Sequence, residues 1–344
     1  MKEKTTELTK EQLILMDTLV YLGAENEVAG QKISEVVDDL LKDNGKMLDK
    51  NRKPKTGKYP GQLSREEWIH TLNLIKQDKT LMSMEIVDIE EDKSTGFKAM
   101  TIAKNQNDKK GASVIFRGTT GDVEWVDNAE GGYQEQTRLQ KKALDYINRL
   151  GGMGYSDITT SGHSKGANYS MYVALMSDFV DRAVGVNGQG FSNEFVEHNR
   201  ELIVKNRGKC ENLCYKWDYV HPLLNPVIKP TYVYGGKKIN SKEALEDHRP
   251  ILLLTKEGRL LPNAKVTALD LLIGQMVREA MSMDLKDKEI VMHGVMSLMI
   301  EDEKYERRMS EEFAFMDDTA IKLGVLDQRC FYEQIRFEAK QKHC

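Results

Sequence analysis

The spacing of apolar positions divides the chain into three parts. From Leu8 to Leu22, apolar side chains at Leu13, Leu15, Leu19, Val20 and Leu22 give one side of a helix. A second helical stretch runs from Gln31 to Leu48. After a Pro- and Gly-punctuated loop from Lys50 to Pro60, Ser64-Arg65-Glu66-Glu67 has the form of a capping box, and the helix it opens continues from Trp68 to Ile75. The period then changes. Met84 to Glu90 and Phe97 to Lys104 are predicted as two strands joined by Glu91-Asp92-Lys93-Ser94-Thr95-Gly96, a hairpin, and Ala112 to Phe116 as a short apolar strand. From there helix and strand alternate: a helix over Gln134–Leu150, a strand over Asp157–Thr160, a helix over Ala167–Phe179, a strand over Ala183–Val186, a helix from Asn193 to about Val204, and strands near Leu213–Trp217 and Thr231–Tyr234. Strands separated by helices of this length predict an α/β fold, a mainly parallel sheet covered on both faces, with right-handed crossovers.

Beyond Val266 the helical period returns, with Leu269, Ile273, Met276, Val277 and Ala280 on one side. Ile290–Ile300 and Glu311–Leu323 continue it. Eight of the 17 methionines fall between 276 and 316. The organisation expected is therefore a helical N-terminal extension (1–80), an α/β core (81–256) and a helical C-terminal extension (257–344). Methionine-rich helical faces adapt to varied ligands, acyl chains included, although packing against the core is the commoner use of such residues.

Composition narrows the partners. The chain has 344 residues, 40% hydrophobic and 30% charged, with 50 basic and 54 acidic side chains and a net charge of −4. That balance gives no electrostatic reason to expect nucleic acid. The five basic residues between Lys50 and Pro60 could serve a phosphate or a membrane surface; a solvated linker is the plainer expectation. No run of about 18 apolar residues predicts a transmembrane helix. The polar start, Met1-Lys2-Glu3-Lys4-Thr5, has no signal-peptide apolar region, so a cytoplasmic location is expected, with leaderless secretion left open. Of the four cysteines, Cys210 and Cys214 stand at C-x3-C spacing with no second Cys/His pair to complete a metal site; free thiols, no metal and no cofactor are expected.

Chemistry concentrates at Gly162-His163-Ser164-Lys165-Gly166, a G-x-S-x-G pentapeptide between a strand and a helix. This is the setting of a nucleophile elbow. The serine must sit in a strained turn, and a Cβ at either flanking glycine would collide with a neighbouring strand or helix. Such a turn lifts the Ser164 hydroxyl into the open and aims the backbone N–H of Lys165 at a developing oxyanion. Upstream, the strand Val114-Ile115-Phe116 ends in Arg117-Gly118-Thr119-Thr120, followed by Trp125 and Asp127. Thr119, with a backbone N–H and a hydroxyl, is the second oxyanion candidate. Arg117 alternates to the other side and is expected in an ion pair.

A strand ending in F-R-G-T, a downstream tryptophan and aspartate, and then G-H-S-x-G resembles the class 3 (fungal-type) lipases and their bacterial lipase-like relatives. The form GHSKG-A-N looks most like the bacterial branch in which a lysine follows the serine. The resemblance spans about residues 84–255 and neither end of the chain. It implies an α/β-hydrolase fold, a Ser-Asp-His triad and hydrolysis of carboxylic esters, lipid or phospholipid among them. Those lipases carry a lid helix before the tryptophan; here Thr120-Gly121-Asp122-Val123-Glu124 is all that intervenes, too short for a substantial lid.

A nucleophilic serine needs a base and an acid to orient it, in the chain order Ser, Asp/Glu, His. Asp218, where a strand approach turns into a Pro-punctuated loop, is the leading acid, and Asp218, Val220 and Leu223 match the D-x-V-x-x-L-like segment of the resembled family. Asp178 and Asp181 lie at the far end of the elbow helix, roughly 20 Å from Ser164 at about 1.5 Å per residue. Of the seven histidines, His70 precedes the core, His163 stands inside the elbow, His198 lies on a charged helix, and His293 and His343 belong to the C-terminal extension. His221 and His248 remain. His221, three residues from Asp218, is expected to crowd it, and the resembled family carries its base on a loop after a hairpin, here seen in Thr231 to Ile239. His248 is preferred.

The expected function is a serine hydrolase acting on an ester or lipid substrate, with peripheral membrane contact and a protein partner for the C-terminal helices both open. The alternatives are a catalytically weak or inactive lipase-like effector or interaction module, and a thioesterase or peptidase using the same triad.

Overall fold

The structure is a computed structural model that describes residues 7–22, 29–49, 60–235 and 246–297. The loop at 50–59, the second arm of the hairpin expected over 231–239 and the helix expected over 311–323 lie outside the described residues. In chain order the elements are α1 (Lys10–Leu19), α2 (Ile33–Asp49), α3 (Arg65–Gln77), α4 (Lys79–Ser83), β1 (Glu85–Asp92), β2 (Phe97–Ala103), β3 (Ser113–Phe116), α5 (Asp122–Glu130), α6 (Arg138–Gly152), β4 (Ile158–His163), α7 (Lys165–Met176), β5 (Val180–Val186), α8 (Asn193–His198), α9 (Arg200–Asn206), β6 (Cys210–Tyr215), β7 (Pro230–Val233), α10 (Ala268–Met281) and α11 (Leu285–Ser297). Thr9, Ser64 and Thr137 each close a capping box, with Gln12, Glu67 and Gln140, so α1, α3 and α6 begin where side chains satisfy their first backbone donors. α2 is interrupted at Lys42–Gly45, where Asp43, Asn44 and Gly45 take positive φ of 50°, 56° and 78°. The single helix expected from Asn193 to Val204 is broken at Asn199 into α8 and α9.

Seven strands among the described residues form one sheet in the order β1-β2-β3-β4-β5-β6-β7. β1, β2 and β3 pair antiparallel, and β3 through β7 pair parallel. β7 therefore joins as a parallel edge strand beside β6. Strictly sequential order has a consequence. Right-handed crossovers that always step in one direction leave their helices on one face of the sheet. That face carries α6, α7, α8 and α9, packed around Phe97, Val114, Phe116, Tyr146, Tyr169, Tyr172, Phe195 and Ile203. The opposite face needs another cover, and α1, α2 and α3 supply it: Leu13, Leu19, Val37, Leu40, Trp68 and Leu72 pack with Met100, Ile115, Val184, Val186 and Leu213. Alternation assigns neighbours in β3 to opposite cores, Ile115 to one and Val114 and Phe116 to the other. The helical residues expected as an N-terminal extension thus build one of the two layers on the sheet. α1 is buried on all sides from Leu13 to Leu19, as befits a helix lodged in a core.

α10 and α11 form a separate small apolar contact. Met281, Met292 and Met296 pack with Ala129 of α5 and with Leu224, and Trp125, Tyr133 and Val277 line its edge. Met281, Met292 and Met296 fill the seam between the C-terminal helices and α5. No helix of the described residues is long and apolar enough to cross a membrane.

Candidate active site

The parallel pairing of β3 and β4 sets the site. Phe116 lies opposite Gly162, so Arg117-Gly118-Thr119 runs on beside His163-Ser164-Lys165. Ser164 holds φ 61° and ψ −124°, a backbone conformation that a residue with a side chain adopts only under constraint. The constraint is steric. A Cβ on Gly162 would stand inside contact distance of the Gly166 backbone, and one on Gly166 would meet the carbonyl of Phe116. The two glycines let α7 start directly against the ends of β3 and β4. The Ser164 N–H is fixed to the carbonyl of Val186 on β5, at 2.9 Å, and Ser164 itself is half-buried at the carboxyl edge of the sheet.

Asp218 follows β6 and is fully buried. Its Oδ1 lies 2.6 Å from His248 Nδ1, and its Oδ2 lies 2.9 Å from His221 Nδ1. The backbone N–H groups of Val220 and His221 donate to the same carboxylate. Burial pushes this carboxyl up, but the neighbouring charge of His248 and the imidazole N–H donors outweigh it and hold Asp218 well below the usual carboxylate range. The expectation that His221 crowds Asp218 gives way to a direct contact, because residues 218–221 wrap into a turn whose own backbone N–H groups point at the carboxylate. The other nitrogen of His221 faces Asp270 of α10 at 3.8 Å. Both histidine candidates therefore sit on one acid, on its two oxygens.

Of the two, His248 is the one beside the elbow. It ends a short 3-10 turn, Glu246–His248, and its ring lies 4.5 Å from that of His163, centroid to centroid. Its Nε2 is buried and has no hydrogen-bond partner among the described residues. Its carbonyl oxygen accepts from Asn187 Nδ2, at 3.2 Å, while Asn187 Oδ1 accepts from the Tyr215 N–H at the end of β6. Asn187, at φ 52° just past β5, thus joins two strand ends to the loop of His248.

Thr119 is steadied by Asn128, whose Nδ2 donates to the Thr119 hydroxyl oxygen at 2.9 Å; Gln189 Nε2 donates in turn to Asn128 Oδ1. The next turn is tied by Glu124, whose Oε2 accepts from the N–H and hydroxyl of Thr120 and from the Gly121 N–H. Arg117 pairs with Glu91 and donates to the Gly96 carbonyl, away from the serine, as alternation requires. Lys165 sends its side chain inward. Its ammonium lies 2.8 Å from Asp127 Oδ2, with both groups almost entirely buried, and Asp127 also accepts from the Thr137 hydroxyl and the Leu139 N–H. Among the described residues no set of three His, Cys, Asp or Glu side chains is arranged to hold a metal ion.

Sequence reasoning missed Asn128, Asn187 and His163. Asn187 was detectable in part, since Asn-Gly after a strand signals a positive-φ residue. Nothing in the spacing marks Asn128 beyond its place next to Asp127.

A sequential, mainly parallel sheet and a strained serine between strand and helix, with a downstream aspartate on a histidine, form an α/β fold of the α/β-hydrolase type. A family model described as Mbeg1-like matches residues 77–212. No curated protein matches the chain. Solved structures similar to it include the M37 lipase, with 14% identity, covering 79% of this chain and 80% of that one at a TM-score of 0.39. The Lip2 lipase from Yarrowia lipolytica shows 10% identity, 67% and 82% coverage and a TM-score of 0.34. A triacylglycerol lipase from Penicillium expansum shows 16% identity, 44% and 71% coverage and a TM-score of 0.32.

Proposed function

We propose that this protein is a serine hydrolase that cleaves carboxylic esters, lipid or phospholipid esters among them, through an acyl-enzyme. Ser164 attacks the ester carbonyl while His248 takes its proton at Nε2. Asp218 holds the imidazole by Nδ1 and stabilises the cation that forms. The backbone N–H groups of Thr119 and Lys165 receive the oxyanion. His248 then returns the proton to the leaving alcohol, and water, activated by the same base, releases the acid. The observation that carries this reading is the 2.6 Å contact of Asp218 with His248, whose other nitrogen is buried and unpaired beside the elbow. A Ser164 nucleophile predicts covalent labelling by a fluorophosphonate probe and turnover of a p-nitrophenyl ester series of varied chain length. Both are expected to vanish in Ser164→Ala. Turnover that survives the substitution would remove Ser164 from the chemistry.

A further inference from the structure

The elbow histidine, His163, is buried, and both its ring nitrogens are engaged. Nδ1 lies 2.8 Å from the Tyr21 hydroxyl, and Nε2 lies 2.6 Å from the carbonyl oxygen of His248. The proton positions follow from the partners. A carbonyl oxygen can only accept, so Nε2 must carry a hydrogen. Burial, with the nearby charge of His248, holds His163 well below the ordinary histidine range, so the ring is neutral and Nδ1 carries none. Tyr21 must then donate to Nδ1. Burial pushes the Tyr21 phenol far above its usual range, so that proton is retained. The same phenolic oxygen packs against the backbone at Gly118. The hydrogen bonds therefore run in one direction, Tyr21 O–H to His163 and His163 N–H to the backbone of His248, starting from a phenol packed on Gly118.

The two ends of this chain are the two halves of the proposed machinery. Gly118 immediately precedes Thr119, and the carbonyl at the other end belongs to the proposed base. Gly118 is glycine for this reason: a Cβ there would fall inside contact distance of the Tyr21 hydroxyl and at 2.5 Å from the His163 carbonyl. Tyr21 stands one turn past α1, on the face of the sheet opposite the crossover helices, and is 5% exposed, so solvent cannot take over its role.

We infer that Tyr21 is a positioning residue of the active centre, acting through His163 to fix the base-bearing backbone of His248 relative to the oxyanion strand. The inference rests on the serine-hydrolase reading above. Loss of the hydroxyl leaves the ring packing intact and frees the His248 loop by a fraction of an ångström, a displacement that costs on the order of tenfold to a hundredfold in turnover.

The test compares wild type with Tyr21→Phe on a short-chain p-nitrophenyl ester and follows the rate and the final extent of fluorophosphonate labelling. Expected are a kcat lower by about tenfold or more, KM within about twofold, a labelling rate constant reduced in parallel, and complete labelling at long times. A purely structural role would instead lower the final labelled fraction and leave the rate constant of the folded molecules unchanged; that result, or an unchanged kcat, overturns the inference. Should Tyr21→Phe fail to fold, His163→Gln, which keeps an N–H able to reach the His248 carbonyl, is compared with His163→Leu. Gln is expected to retain about tenfold more turnover, and equal rates overturn the inference. Wild-type enzyme that neither labels nor turns over would sink the hydrolase reading itself, whereas labelling of wild type and Tyr21→Phe at one rate sinks only the role of Tyr21.

Discussion

Asp17 is the least expected group in the core, and its protonation can be counted. It projects from α1 and is fully buried. Ser161 on β4 places its hydroxyl oxygen 2.8 Å from Asp17 Oδ2 and 2.9 Å from the Val184 carbonyl. One hydroxyl hydrogen cannot serve two acceptors. If it goes to the carbonyl, the carboxyl must be protonated and donate to Ser161, and burial raises Asp17 well above the ordinary aspartate range in the same sense. A neutral carboxyl in the folded state and an ordinary one, near pH 3.9, in the unfolded state fix the sign. The stability contribution is full below about pH 3.9 and is lost as pH rises through the folded value, at about 1.4 kcal/mol per pH unit. Asp17→Asn keeps a donor toward Ser161 and carries no proton to lose. Its advantage over wild type is expected to grow by about 1.4 kcal/mol per unit between pH 4 and the folded value, to at most about 4 kcal/mol at pH 7 if that value is higher still, and then to level off. Urea unfolding of both proteins at pH 5, 6 and 7 measures this, since every other titrating group cancels in the difference. A difference that does not change with pH would refute a neutral Asp17.

Two more outcomes follow from packing. Lys165→Met leaves the buried Asp127 carboxylate with neutral donors only, and is expected to lower unfolding free energy by about 3–5 kcal/mol; a loss under about 1 kcal/mol in the same urea assay would mean that the pair is not desolvated. Gly166→Ala drives a methyl into the Phe116 carbonyl, with carbons of Phe116 and Arg117 at 2.9 and 3.0 Å, and must part α7 from β3. It is expected to abolish probe labelling and cost about 1–3 kcal/mol, while Gly152→Ala, with nothing within 4 Å, is neutral or stabilising; similar effects from the two would refute the steric account of the elbow.

What could be read from the sequence and what could not divide along one physical line. The elbow is local: two glycines, a serine and the period change around them determine its backbone within a few residues, so Gly162–Gly166 stands out from the residues alone. The sheet is nearly as legible, because alternation in Ile115-Phe116 or Val184-Val186 assigns each side chain to one of the two cores. Asp218 was legible through chain order and its position at a strand end. The polar links across the sheet were not. Asp17 to Ser161 and Tyr21 to His163 join residues more than 140 positions apart, and each partner alone looks ordinary. Their meaning comes from topology. Because the strands run in sequential order, the crossover helices all fall on one face and leave the other bare. α1 must cover it, and β4 meets α1 with the polar side chains of Ser161 and His163. Strand and loop carbonyls take one bond from each of these two buried side chains, and the N-terminal segment supplies the remaining partner. The polar residues Asp17 and Tyr21 of the N-terminal segment are that supply. Residues 7–22, which carry no catalytic motif and lie outside the 77–212 match, are in this sense specified by the elbow.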